Sequence, residues 1–155
     1  MATRKAIEHR VHDVIDTMGT ACPFKIANKM HIPIVYTELP KQIRGYMLHI
    51  DKRCCILVSD SINNWEASMV VAHEMGHYFL HDKQFYLFHY NCGEYRCARR
   101  EYEADLFAFY LLSHKFIQLK RMYDKIPPFE KIMTCKDLYS LFDLYSLFVE
   151  GLRRW

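Results

Sequence analysis

An α+β domain is the architecture expected of these 155 residues. Residues 4–18 carry apolar side chains at a helical period. Residues 31–58 hold short β-branched and aromatic runs broken by Pro33 and a two-residue turn. Two apolar helical stretches then dominate the rest.

Taken in order, Arg4 to Met18 places apolar residues at 7, 11, 14, 15 and 18, the spacing of one helix face, and Gly19 can end it. Pro23 suits the first turn of a second short helix running to about Met30. His31 to Tyr36 reads as a strand at an edge or early position, because Pro33 cannot donate to a ladder. Gly45 to Ile50, a turn at Asp51-Lys52, and Arg53 to Val58 read as a hairpin. Asn64 to Leu80 is apolar nearly all round, as befits a helix crossing the middle of the domain, with Asn63 or Asn64 as its cap. Residues 83–97 look irregular, and another strong helix is expected from about Ala98 to His114. Beyond Pro127-Pro128 lie the tandem hexamers Asp137–Phe142 and Asp143–Phe148, too few for a solenoid. The division expected is a main domain over 1–126 and a helical extension over 127–155 packed on it.

Composition narrows the function. Apolar residues at 51% exclude a disordered chain, and a net charge of +3 is too mild to mark a nucleic-acid binder. No run approaches a membrane span, and Met1 to Val11 lacks the apolar core of a secretory leader. The six cysteines show neither a knuckle nor a redox spacing, so free thiols in a reducing cytoplasm are expected, with no membrane and no direct nucleic-acid partner.

One constellation carries chemistry. His73 and His77 in His73-Glu74-Met75-Gly76-His77 are four apart, so on a helix both imidazoles face one way and can converge on a cation such as zinc. Glu74 emerges about 100° further round, beside the metal rather than on it, where a general base must stand to take a proton from water. Three ionisable groups inside an apolar helix would each cost desolvation energy unless a metal or partner compensates. A third ligand is needed, and Glu101, His81 and His89 are the candidates. Glu101 and Asp105 share a helix face, so Asp105 could support a liganding histidine while Glu101 binds; Glu103 should point elsewhere, as a solvated surface acid or a first-turn helix charge.

The stretch Val70-Val71-Ala72-His73-Glu74-Met75-Gly76-His77-Tyr78-Phe79-Leu80-His81, with Glu101, Ala104-Asp105, Phe107-Ala108 and Leu111-Leu112 after it, resembles the ImmA/IrrE metallopeptidases of phages, mobile elements and bacterial stress responses. The likeness covers about residues 5–115. It implies a minimal thermolysin-like zincin core, Zn2+ held by His73, His77 and Glu101, and Glu74 as catalytic base. It further implies a soluble cytoplasmic enzyme whose protein substrate is a DNA-binding helix-turn-helix repressor. Where members often continue Leu-Leu-Met-Pro, this chain has Leu111-Leu112-Ser113-His114, a change at the helix exit and not in the metal shell.

A second donor for the developing oxyanion is normally required, and Tyr46, His89, Tyr90 and Arg96 are candidates. The strand around Tyr46 could hold an extended substrate along its edge. Two other readings keep the same metal shell: a hydrolase of a non-peptide substrate, and a metal-containing anti-repressor that binds its partner without cutting it.

Overall fold

The computed structural model describes residues 3–50, 53–81 and 94–124, with side chains of the last segment at 98–115. Its elements are α1 (Arg4–Met18), α2 (Pro23–Lys29), β1 (Ile34–Thr37), β2 (Gly45–Ile50), β3 (Arg53–Ser59), α3 (Asn64–Leu80) and α4 (Glu94–Asp124). This is the expected α+β order: a small mixed sheet packed against helices. The turn expected at 51–52, the extension expected over 127–155 with its tandem hexamers, and the candidates His89 and Tyr90 lie outside the described residues.

Local chemistry explains most boundaries. The Thr3 side chain accepts from Ala6 N–H at the start of α1, and Gly19, left-handed at φ 63°, returns its N–H to the Ile15 carbonyl. Asn63 caps α3 by accepting from Trp65 and Glu66 N–H, while Glu66 reaches back to Asn63 N–H. Such a reciprocal box contributes about 1 kcal/mol and fixes where the helix begins. α4 is longer than expected, starting at Glu94 and not near Ala98, and continuing past His114. The stretch between Gly93 and Pro127 contains neither glycine nor proline, so nothing in the backbone stops the helix near Ser113.

The sheet order is β1-β3-β2, with β1 parallel and β2 antiparallel to the central β3. Ile34 pairs with Ile56, and Met47 pairs with the same Ile56 from the other side. Pro33 lies just before edge strand β1, where its missing N–H is harmless, and its carbonyl accepts from Ile56 N–H. One face of the sheet, through Met47, Ile56 and Val58, is buried.

α3 is the hub, packing on α4, α2, β2 and β3. Ile7 and Val11 of α1, Ile26 of α2, Val71 and Met75 of α3, and Phe107 and Leu111 of α4 form one continuous core. Two glycines set the spacing. A Cβ on Gly76 would fall 2.9 Å from both the Cα and the carbonyl oxygen of Ala104, so α3 and α4 touch backbone to backbone there. A Cβ on Gly45 would meet the Leu57 carbonyl of β3 at 2.6 Å and the Val70 side chain of α3 at 2.5 Å, so β2 leaves no room for a side chain there.

Gly76→Ala should therefore force α3 from α4 against immovable backbone, destabilising the domain by about 1–3 kcal/mol despite alanine's better helix propensity. Urea unfolding would test this, and an unchanged or higher midpoint would show that the contact can relax.

Candidate metal centre

α3 presents His73 and His77 on one face, and α4 crosses over them at Gly76–Ala104, bringing Glu101 and Asp105 within reach. His73 Nε2 lies 3.1 Å from His77 Nε2 and 3.1 Å from Glu101 Oε2, while His77 Nε2 lies 3.3 Å from Glu101 Oε1. His73, His77 and Glu101 are the one group among the described residues whose donor atoms converge tightly enough to hold a metal ion.

The triangle has the right size and chemistry for an ion. Ligands about 2.0–2.1 Å from a tetrahedral centre lie about 3.3–3.4 Å apart, close to the separations here. With no cation, two imidazole nitrogens at 3.1 Å need a proton between them, and His73 faces carboxylate oxygens at both nitrogens: Glu101 at Nε2 and Asp105 Oδ1 at Nδ1, 2.9 Å away. A neutral histidine cannot donate to both. A cation at the centre resolves the conflict, because Nε2 then offers its lone pair inward and Nδ1–H donates to Asp105.

The titration of the groups reflects this crowding. Burial pulls the His73 pKa down, but its bonds to Asp105 and Glu101 prevail and raise it to about 10. Burial pushes Glu101 up, yet its bonds with His73 and His77 outweigh it and hold the carboxyl well below the usual range. Glu74 is raised, with burial the main cause, opposed by His73, His77 and the Met47 N–H.

Glu74 is buried beside the pair, and its Oε2 accepts from the Met47 backbone N–H at 3.0 Å. In the antiparallel pairing, Met47 turns this N–H outward from β3, so the free edge of β2 is the edge that meets α3. Composition could not reveal this anchor, because the donor is backbone.

The expected site residues fall into clear groups. His73, His77 and Glu101 converge, Glu74 stands beside them, and Asp105 supports His73 as its spacing suggested. His81 does not join the triangle. Its Nδ1 lies 3.1 Å from His77 Nδ1, behind the ligating edge, and its Nε2 contacts Glu103 Oε2 at 3.1 Å. Glu103 is a correction: it is buried, not solvated, and also accepts from Arg99 Nε at 3.1 Å. Its i, i+4 spacing from Arg99 was the available signal. Burial lowers the His81 pKa against the opposing effect of Glu103. Glu103 stays below its ordinary value because His81 and Arg99 outweigh its burial. Tyr46 is exposed and leaves β2 on the face opposite Met47. The side chains of His89, Tyr90 and Arg96 lie outside the described residues.

The sequence profile of the IrrE N-terminal-like domain (Peptidase M78) matches residues 27–128. Metallopeptidase ImmA of Bacillus subtilis strain 168 is 34% identical over 106 residues, covering 68% of this chain and 62% of that protein. The uncharacterized immunity region protein 2 of Bacillus phage phi105 is 26% identical over 106 residues, 68% of this chain and 67% of the relative. The chain thus spans under two thirds of the length of ImmA. No solved structure matches. Among the described residues, no helix is long and apolar enough to cross a membrane.

Metal uptake should release protons. His73 is protonated below about 10 when the site is empty and must be neutral to bind. Near pH 7, binding should liberate one proton from His73, and affinity should fall about tenfold per unit of acidification. Calorimetry of zinc binding in buffers of different ionisation enthalpy would measure it, and a heat independent of buffer would contradict a charged His73.

Proposed function

The chain belongs to the ImmA/IrrE family of zinc metallopeptidases, and from that premise we propose that it is a zinc-dependent endopeptidase performing limited cleavage of a protein substrate in the cytoplasm. The observation that carries the reading is the convergence of His73, His77 and Glu101 with Glu74 anchored beside them by Met47 N–H. In this reading the buried helix and the helix crossing it would serve as the frame of a minimal thermolysin-like zincin core. A helix-turn-helix repressor is the substrate proposed, in keeping with the family's association with phage and mobile-element repressors and with a relative named as a phage immunity region protein.

His73 and His77 would hold zinc through Nε2 and Glu101 through its carboxylate, with Asp105 fixing the His73 ring. When bound, the ion supplies Lewis acidity toward water and the scissile carbonyl. Glu74 does the proton work. With Oε2 engaged by Met47 N–H, Oε1 takes the proton from the attacking water and returns it to the leaving amine. Burial suits it to the task, since a raised pKa makes the carboxylate a stronger base and, once protonated, a usable acid. The Met47 N–H keeps it from turning away. An extended segment of substrate can run along the free edge of β2, which restricts cleavage to loops or locally unfolded stretches.

Purified wild type should hold one zinc per chain by mass spectrometry, and Glu101→Ala should lose it. Zinc retained by Glu101→Ala would remove Glu101 from the shell. Glu74→Gln should keep its zinc but lose cleavage of a panel of helix-turn-helix repressors by about 10²–10⁴-fold. The wild-type rate should fall as pH drops, because only ionised Glu74 accepts a proton from water. Binding of a repressor without cleavage by zinc-loaded wild type would favour the non-cutting anti-repressor instead.

A further inference from the structure

Behind His77 lies a chain of polar contacts that catalysis by His73, His77, Glu101 and Glu74 does not use. It runs from His77 Nδ1 to His81 Nδ1 at 3.1 Å, from His81 Nε2 to Glu103 Oε2 at 3.1 Å, and from Glu103 Oε1 to Arg99 Nε at 3.1 Å. The side chains of His81 and Glu103 are almost covered, at 7% and 10% exposure. His81 is also where α3 stops: its φ of −118° and ψ of 153° are extended, though its N–H still bonds the His77 carbonyl. Leaving the helix there carries the imidazole behind His77, out of the position a third helical ligand would occupy.

We propose that His81 and Glu103, steadied by Arg99, are positioning residues that set the tautomer and ring orientation of His77 for metal binding. The proposal rests on the metal reading of the His73–His77–Glu101 triangle. Each contact has one consistent polarity. Arg99 Nε–H can only donate, so Glu103 accepts from it. The Glu103 carboxylate then accepts from His81 Nε2–H, leaving a lone pair on His81 Nδ1. His77 Nδ1–H donates to that lone pair, so the His77 lone pair is fixed on Nε2, the nitrogen that faces Glu101 and His73. His73 is held by one carboxylate directly, through Asp105. His77 is held by a carboxylate one imidazole further away. A merely structural role, tying the end of α3 to α4, would stabilise the apo fold but leave the metal indifferent to Glu103.

Zinc affinity separates the two roles. Competition with a chromogenic chelator should show Glu103→Gln and Glu103→Ala binding zinc about 10–100-fold more weakly than wild type, with the apo melting temperature of the isosteric Glu103→Gln little changed. His81→Ala should weaken binding similarly, and His81→Ala with Glu103→Ala should be no worse than His81→Ala alone, because both act through one path. Long-range 1H–15N spectra of zinc-loaded wild type, which need no variant, should show the proton of His77 on Nδ1 and that of His81 on Nε2. Zinc affinities of both Glu103 variants within about twofold of wild type, or a proton on His81 Nδ1, would overturn the relay. If wild type binds zinc and Glu101→Ala loses it while the Glu103 variants keep it, the relay alone falls. If wild type binds no zinc, the metal reading falls and takes the relay with it.

Discussion

The contact between Gly76 and Ala104 governs the rest of the site. Carboxylate side chains are short, and a ligand on α4 can meet two histidines on α3 only if the helix backbones nearly touch. Gly76 sits inside the metal motif itself, between the two histidines in sequence and facing Ala104 of the next helix. The small pair is the pivot about which Glu101 lies to one side and Phe107 to the other. Glu101 reaches polar partners, whereas Phe107 is buried and stacks on Phe79 at 5.6 Å between ring centroids. Apolar packing beyond the pivot thus supplies the force that keeps the polar side closed, since the polar cluster would otherwise repel itself or admit water.

Charges in such a place must be matched, and here the matching is layered. Buried His77 and Glu74 sit in the wall of a helix whose neighbours Val71, Ala72 and Met75 are fully covered. No single pairing offsets their desolvation. His73 spans Glu101 and Asp105, Glu74 takes a backbone donor, and Glu103 is held between His81 and Arg99. A buried network is stabilising only when all members are satisfied, and the histidine-to-histidine contact at 3.1 Å is the place where protein groups alone satisfy it least well. That deficit is local and faces the centre of the triangle. Among the described residues, that crowded contact is also where ligand atoms converge closely enough for a cation.

Much of this was legible in the residues and some was not, for physical reasons. α1 and α3 were readable to their ends because their limits are chemical: a left-handed glycine and a capping box are local signals. The ligand pair was readable because four-residue spacing translates directly into geometry on a helix, and Asp105 followed from Glu101 by the same rule. The ends of α4 were misjudged because they depend on the absence of breakers more than on a stop signal. Glu103 was misplaced because helical phase tells which residues share a face, not what lies opposite that face; the end of α3 turns His81 toward it. The Met47 anchor was out of reach for a deeper reason, since any residue but proline at that position offers the same N–H. What makes it available is strand order: among the described residues β2 pairs with β3 alone, so the Met47 N–H on its other side can go to a side chain.

That last point links sheet to chemistry. An exposed strand edge is ordinarily a hazard that proteins cover or charge. Here one donor of the edge is given to Glu74, and the close approach enforced by Gly45 against Val70 keeps strand and helix at that distance. The strand whose backbone holds Glu74 is therefore, under the peptidase reading proposed above, also the strand on which an extended peptide would align. Movement of β2 relative to α3 would break the Met47–Glu74 bond, so strand and carboxylate keep their relation only while Gly45 stays packed against Val70. The His73–His77–Glu101 cluster hangs on a separate support, the α3–α4 crossing, and among the described residues α3 is the element common to both. Its apolar character on nearly every side follows: a helix that holds a polar cluster against one neighbour and a buried carboxylate against another has little face left for water.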